Sequence, residues 1–222
     1  MDPQANRVAQ PAGAGEAAGS ASRTRLDRRK RLLTATAIVL ALTGTLLIAY
    51  PFATDLWAAH LQRGLSGQLR ENASAYRDGD VGVGRALTRL EIPKLDVDVV
   101  VVEGTTPAAL HAGAGHYPDT PLPGQDGNVA IAGHRTTYGR PFNRLVELDP
   151  GDRVILTTPI GRHVYEISEE PWVVEAYDWA PVKRYPAEGA WLTLTTCHPE
   201  GSATHRVVAR AKLVSSSVRG TG

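Results

Sequence analysis

Between Leu32 and Thr54 the chain carries no charged residue, and that run decides more about the fold than any other feature. As an α-helix it is long enough to cross a hydrocarbon layer about 30 Å thick. The reading is one uncleaved transmembrane helix over residues 32–54. A secretory signal peptide is the alternative, but such leaders have a shorter apolar core and a small-residue cleavage motif. Ala49-Tyr50-Pro51-Phe52-Ala53 makes a poor cleavage site. Arg23, Arg25, Arg28, Arg29, Lys30 and Arg31 precede the run and Asp55 follows it. The positive-inside rule therefore puts the N-terminus in the cytoplasm and everything after Asp55 outside the cell. Residues 1–31, rich in Ala and Gly, are expected to form a disordered basic tail.

Residues 55–85 read as a juxtamembrane helix and linker. Leu56, Leu61, Leu65 and Leu69 recur at helical spacing, Trp57 sits near the expected interface, and Gly79 to Gly84 ends the pattern. From 86 to 215 the chain becomes a series of short β-rich runs punctuated by Pro, Gly and Asp: 87–92, 97–102, 128–132, 153–158, 163–168, 172–175, 190–196 and 206–214. Such a series suggests an all-β domain, a closed barrel or a sandwich. Helical signals are confined to Thr106–His111 and Pro141–Leu148, and residues 216–222 read as a frayed C-terminus. The net charge of +1 averages a basic tail with a slightly acidic remainder, and nothing indicates nucleic-acid binding.

The one cysteine ends a strand pattern, Trp191-Leu-Thr-Leu-Thr-Thr-Cys197-His-Pro. With a period of two, Leu192 and Leu194 face one side while Thr193, Thr195 and Cys197 face the other. The next run turns Val207, Ala209, Ala211 and Leu213 inward and Arg206, Val208, Arg210 and Lys212 outward. Cys197 and Arg206 then flank one turn and share an outer face. A lone thiol in an exported domain makes no structural disulfide of its own, and thiolate chemistry requires a base or a cation nearby. Among seven histidines, His134 stands out, because it follows the apolar run Asn128–Ala132 and Gly133. A buried small hydrophobe at Cys197 and a loop histidine at 134 are the bland alternatives. A metal site from His111, His116 and His134 lacks close ligand spacing and a carboxylate, so no metal and no cofactor are expected. Asp96, Asp98, Asp119 and Asp126 are too scattered for a calcium loop.

Thr193-Leu194-Thr195-Thr196-Cys197 resembles the TLxTC signature of sortases, membrane-anchored cysteine transpeptidases of Gram-positive bacteria. Leu90-Glu-Ile-Pro-Lys-Leu95 resembles the family's first-strand motif, Asn128–Arg135 its histidine segment, and Arg206 its arginine. With Gly133-His134-Arg135-Thr136-Thr137-Tyr138-Gly139 and Thr196-Cys197-His198-Pro199, the pattern is most similar to class E. The resemblance covers Leu87–Leu213. It implies a closed eight-stranded sortase-type β-barrel with short helices, occupying residues 86–215 as the catalytic domain. It also implies Cys197 as nucleophile, His134 as general acid/base and Arg206 as stabiliser of the substrate carbonyl and oxyanion. The implied reaction cleaves a C-terminal sorting signal of LAXTG or LPXTG type between Thr and Gly. The thioester formed on the cysteine is then passed to an amine of a lipid II-like peptidoglycan precursor. The implied partners are surface proteins carrying that signal. Tyr117, with Tyr138 as its rival, is the candidate for favouring Ala over Pro at the second position, and Thr196 is a further substrate-binding candidate. The anchor is expected to supply location and not chemistry, so that a chain beginning near Gly79 would still cleave peptide. Another thiol acyltransferase and a non-enzymatic β-barrel binding module are the competing functions; the Ser-His-Gly-Cys type segment of L,D-transpeptidases is absent.

Overall fold

The computed structural model describes residues 14–183 and 188–218, with side-chain surroundings from Arg28 onward. The chain divides into two compact units, residues 1–49 and 50–222. Helix α1 (Ala14–Glu71) contains the uncharged run, and its segment Arg28–Glu71 is long and apolar enough to cross a membrane. Leu33, Leu40, Leu46, Leu47 and Ile48 all lie more than half exposed, so this segment presents an apolar surface that suits a hydrocarbon layer. Its threonines are satisfied internally: Thr36 and Thr45 hydroxyls donate to the carbonyls of Leu32 and Ala41, each at 2.9 Å. Part of the tail assigned to disorder, residues 1–13, lies outside the described residues. From Ala14 the backbone is helical instead. Ala, Arg and Lys are good helix formers, and lengthening an existing helix is far easier than nucleating one.

In the second unit the strands are β1 (Ala86–Ile92), β2 (Val97–Glu103), β3 (Ala114–His116), β4 (Gly127–Gly133), β5 (Arg153–Thr158), β6 (Gly161–Ile167), β7 (Trp172–Glu175), β8 (Ala190–His198) and β9 (His205–Val218). Eight of them follow the order β6-β5-β1-β2-β3-β4-β8-β9 and close through the β6–β9 pairing, which makes the expected eight-stranded barrel. β7 is added along the first residues of β9. Inside, Leu90, Ile92, Val129, Ile131, Leu156, Tyr165, Leu192, Leu194 and Val207 form one close-packed core. The sequence pattern does not reveal β3. Its Ala-Gly-His has no apolar alternation, and it is held by parallel pairing to β2 and antiparallel pairing to β4. A Cβ on Gly115 would stand 2.2 Å from the Gly104 carbonyl oxygen, so close backbone approach selects this strand.

Helix α3 (Pro107–Leu110) is capped as its sequence predicts, with the Thr106 hydroxyl accepting from Ala109 N at 3.2 Å. The second expected helix, at Pro141–Leu148, reduces to a single 3-10 turn, Leu145–Glu147. The juxtamembrane segment is not a separate element. It is the end of α1, followed by α2 (Ala73–Asp78), and it packs on the outside of the barrel through Leu65, Leu69, Ala86, Val100, Val102, Ala109 and Ala112. Gln62 completes the β2 ladder where β3 has not yet begun. Its Nε2 donates to the Val100 and Ala112 carbonyls at 2.8 and 2.7 Å, and Val100 N donates back to Oε1 at 2.7 Å. Asn72 Nδ2 reaches the Ala86 carbonyl at 2.9 Å.

Candidate active site

β8 and β9 pair antiparallel with Cys197 directly opposite Arg206, so the two share the outer face as the alternation predicts. Side chains so paired have Cβ atoms about 5 Å apart. On the other edge of β8 runs β4, parallel, with Ala132 opposite Thr195. Two residues further along each chain stand His134 and Cys197. Thr196 fixes this juncture by donating its hydroxyl to the Gly133 carbonyl at 2.8 Å. Gly133 has a different task from the tight turn its position suggests. A Cβ there would lie 2.5 Å from the Phe142 ring, so the glycine lets a core aromatic pack beneath the residue that precedes His134.

Cys197, His134, Arg206, Tyr117 and Thr196 line one cleft of about 220 Å³, with Trp179 on its far wall. The outer face of β8 is not open along its length, as strand alternation alone implies. Helix α4 (Ala180–Lys183) covers it, and Thr193 is fully buried. The cover is bolted by polar groups: Asn128 Nδ2 donates to the Pro181 and Val182 carbonyls at 3.1 and 2.9 Å, and Thr193 Oγ1 donates to Asn128 Oδ1 at 2.8 Å. Tyr117 stands beside the thiol's strand, its hydroxyl 3.1 Å from Thr195 Oγ1 and its ring edge-on to Trp179. Burial, followed by smaller opposing contributions from Thr195 and Arg206, pushes its phenol pKa above 10. It therefore remains a hydrogen-bond donor at neutral pH.

His134 is half-buried, its Nε2 has no hydrogen-bond partner, and burial, then the nearby His111, lower its pKa below 6.5. Arg206 Nη1 donates to the Ala203 and His205 carbonyls at 2.9 and 2.8 Å. That fixes the guanidinium on the turn after Cys197. His198 turns away from the cleft, and its Nδ1 lies 2.8 Å from Arg135 Nη1. The same Arg135 nitrogen donates to the Cys197 carbonyl at 3.2 Å, and Arg135 is only 8% exposed. Arg135 thus clamps the backbone that carries the thiol. The sequence reading gave it no role, although its place next to His134 was the available signal.

Tyr138 does not line the cleft. Its ring stacks on His111 at 4.5 Å and leans on His134 at 5.1 Å. Thr196 reaches the cleft wall, but its hydroxyl is committed to Gly133. His116 has both ring nitrogens engaged, Nδ1 by Glu103 at 2.8 Å and Nε2 by Thr120 and Pro121 at 2.9 and 3.1 Å. A ligand trio of His111, His116 and His134 therefore does not form. Among residues 28–183 and 188–218 no group of three or more His, Cys, Asp or Glu side chains converges as a metal site.

The sortase domain family model matches residues 90–214. The curated relative Sortase SrtE1 of Streptomyces coelicolor is 31% identical over 202 residues, which cover 81% of this chain and 56% of that protein. The chain spans less than two thirds of the length of each curated sortase it matches. Among solved structures, sortase E of Streptomyces avermitilis superposes with a TM-score of 0.56 at 39% identity, covering 62% of this chain and 93% of that one. Sortase E1 of Streptomyces coelicolor, solved with a tripeptide in its active site, gives a TM-score of 0.58 at 32% identity over 61% of this chain and 91% of that one. The chain belongs to the sortase family and is similar to its class E members.

Proposed function

We propose that this chain is a membrane-anchored cysteine transpeptidase that cleaves a C-terminal sorting signal of LAXTG or LPXTG type between Thr and Gly. It would then join the new carboxyl end to an amine of a lipid II-like cell-wall precursor. The observation that carries this reading is the convergence of Cys197, His134 and Arg206 from three neighbouring strand ends on one cleft, in a chain of the sortase family. A relative holds a tripeptide in the corresponding fold. The six basic residues before the uncharged run and Asp55 after it support a cytoplasmic N-terminus and an extracellular catalytic unit.

In the proposed reaction the Cys197 sulfur attacks the Thr carbonyl. Arg206 donates to the developing oxyanion, through guanidinium N–H groups other than those held by Ala203 and His205. His134, neutral at pH 7, receives the thiol proton and delivers it to the departing glycine amine. The same ring removes a proton from the incoming amine as it displaces the thioester. The Tyr117 phenol stands along the strand that leads to Cys197, which supports a role in choosing Ala over Pro at the second position. The test is incubation of the purified chain with LAXTG and LPXTG peptides and a glycine-based amine. The expected product is cleaved after Thr and linked to the amine. Absence of any Thr–Gly cleavage across both peptides would contradict the reading.

A further inference from the structure

Three successive residues after His134 hold left-handed backbone: Tyr138 at φ 52°, Gly139 at φ 79° and Arg140 at φ 48°. Two of the three are bulky side chains that disfavour this region, so the loop needs outside support to keep its shape. Helix α1 supplies it from the first turn after the uncharged run. Tyr138 N donates to Thr54 Oγ1 at 3.3 Å, Gly139 N donates to Asp55 Oδ1 at 2.8 Å, and Arg140 Nη2 lies 3.0 Å from Asp55 Oδ2. Ala58, 2% exposed, packs against Gly139. The loop so held presents the Tyr138 ring to His134 on one side and to His111 on the other. His134 itself makes no side-chain hydrogen bond at Nε2. Among the described residues no carboxylate bonds the imidazole, and the Tyr138 ring stands 5.1 Å from it.

We propose that Asp55 is a positioning residue for His134, acting through the Gly139–Arg140 backbone and the Tyr138 ring, so that the anchor helix sets the catalytic geometry as well as the location. This rests on the reading of His134 as the general acid/base. The ring of His134 neighbours Tyr138 at 5.1 Å and lies within Coulombic reach of His111; it shares the cleft lining with Cys197 and Arg206, while Asp55, Arg140 and Tyr50 adjoin the Tyr138 loop.

The test uses the full chain in detergent micelles, a sorting-signal peptide, and kcat, KM and the pH profile of kcat/KM as readouts. Asp55→Ala is expected to lower kcat about tenfold with KM within about twofold, and to move the acidic limb, because a loosened loop misorients and uncovers the ring. Asp55→Asn, which keeps an acceptor for Gly139 N, retains more activity than Asp55→Ala. Tyr138→Phe recovers most of what Tyr138→Ala loses. Gln62→Ala, which loosens the same helix two turns away, lowers the melting temperature without moving the acidic limb. Unchanged kcat and pH profile in Asp55→Ala would overturn the inference, and so would an equal effect from Gln62→Ala. Both outcomes leave the reaction assignment standing; that assignment fails separately if Cys197→Ala retains turnover.

Discussion

His134 is the residue whose environment says most about the chemistry. Burial first, and the Coulombic effect of His111 second, hold its pKa below 6.5, so the ring is neutral at pH 7 and, in the proposed reaction, takes its proton from the thiol. Turnover per KM is then expected to fall with acid through a limb below pH 6.5. His111→Ala, which removes the Coulombic neighbour that lowers the His134 pKa, is expected to move that limb upward, as a pH–rate profile would show; a downward shift would contradict the assigned causes. The same shift affects stability. Because the folded pKa lies below the unfolded one, His134's contribution is intact above pH 6.5 and is lost as pH falls through the folded value. Arg206→Lys is expected to leave activity at least about tenfold down, since a single ammonium nitrogen lacks the planar fork by which one guanidinium nitrogen bonds the turn carbonyls while the others face the proposed oxyanion. Near-complete recovery by lysine would reduce the role to charge alone. Period-two alternation and the turn residues between them placed Cys197 and Arg206 on one outer face, His134 was singled out by the apolar run before it, and the roles of all three came from the sortase resemblance. Arg135 was not legible, because what it binds is a carbonyl 62 positions away.

At the level of elements, β4 and β8 are the frame of the site, and small residues let them be so. Gly133→Ala forces a Cβ into the Phe142 ring, and overpacking of this kind costs about 1–3 kcal/mol. The expected result is a lowered melting temperature together with reduced thiol alkylation or turnover, because the displaced strand end is the one that carries His134. Strands with clear alternation, such as β8 and β9, could be read from sequence, and Val207, Ala209 and Ala211 do face the core. β3 could not be read, since its only local signal is glycine. Nor could α4, whose covering of Thr193 depends on Asn128 reaching across 53 positions to the Pro181 carbonyl.

For the whole molecule, the docked end of α1 changes what the anchor means. A chain beginning near Gly79 loses the buried Leu65 and Tyr76, each worth about 1.5–3 kcal/mol, and the bonds of Gln62 and Asn72. It is expected to melt at least about 5 °C below a chain that retains residues 50–78, a result differential scanning calorimetry would read. Equal melting temperatures would show the helix to be a tether only. Helical spacing announced this segment, but the polar side chains that lock it to β2 carry no periodic signal. Protease added outside intact cells is expected to remove the domain after Asp55 and to spare a tag placed before Arg23. In the proposed reaction Cys197 carries the cleaved substrate as a thioester, which intact mass spectrometry after brief exposure to a sorting-signal peptide without added amine would detect. The expected adduct equals the peptide up to its Thr, maps to Cys197 and is released by an amine; an adduct that retains the Gly, or none on Cys197 while cleavage proceeds, would overturn the thioester.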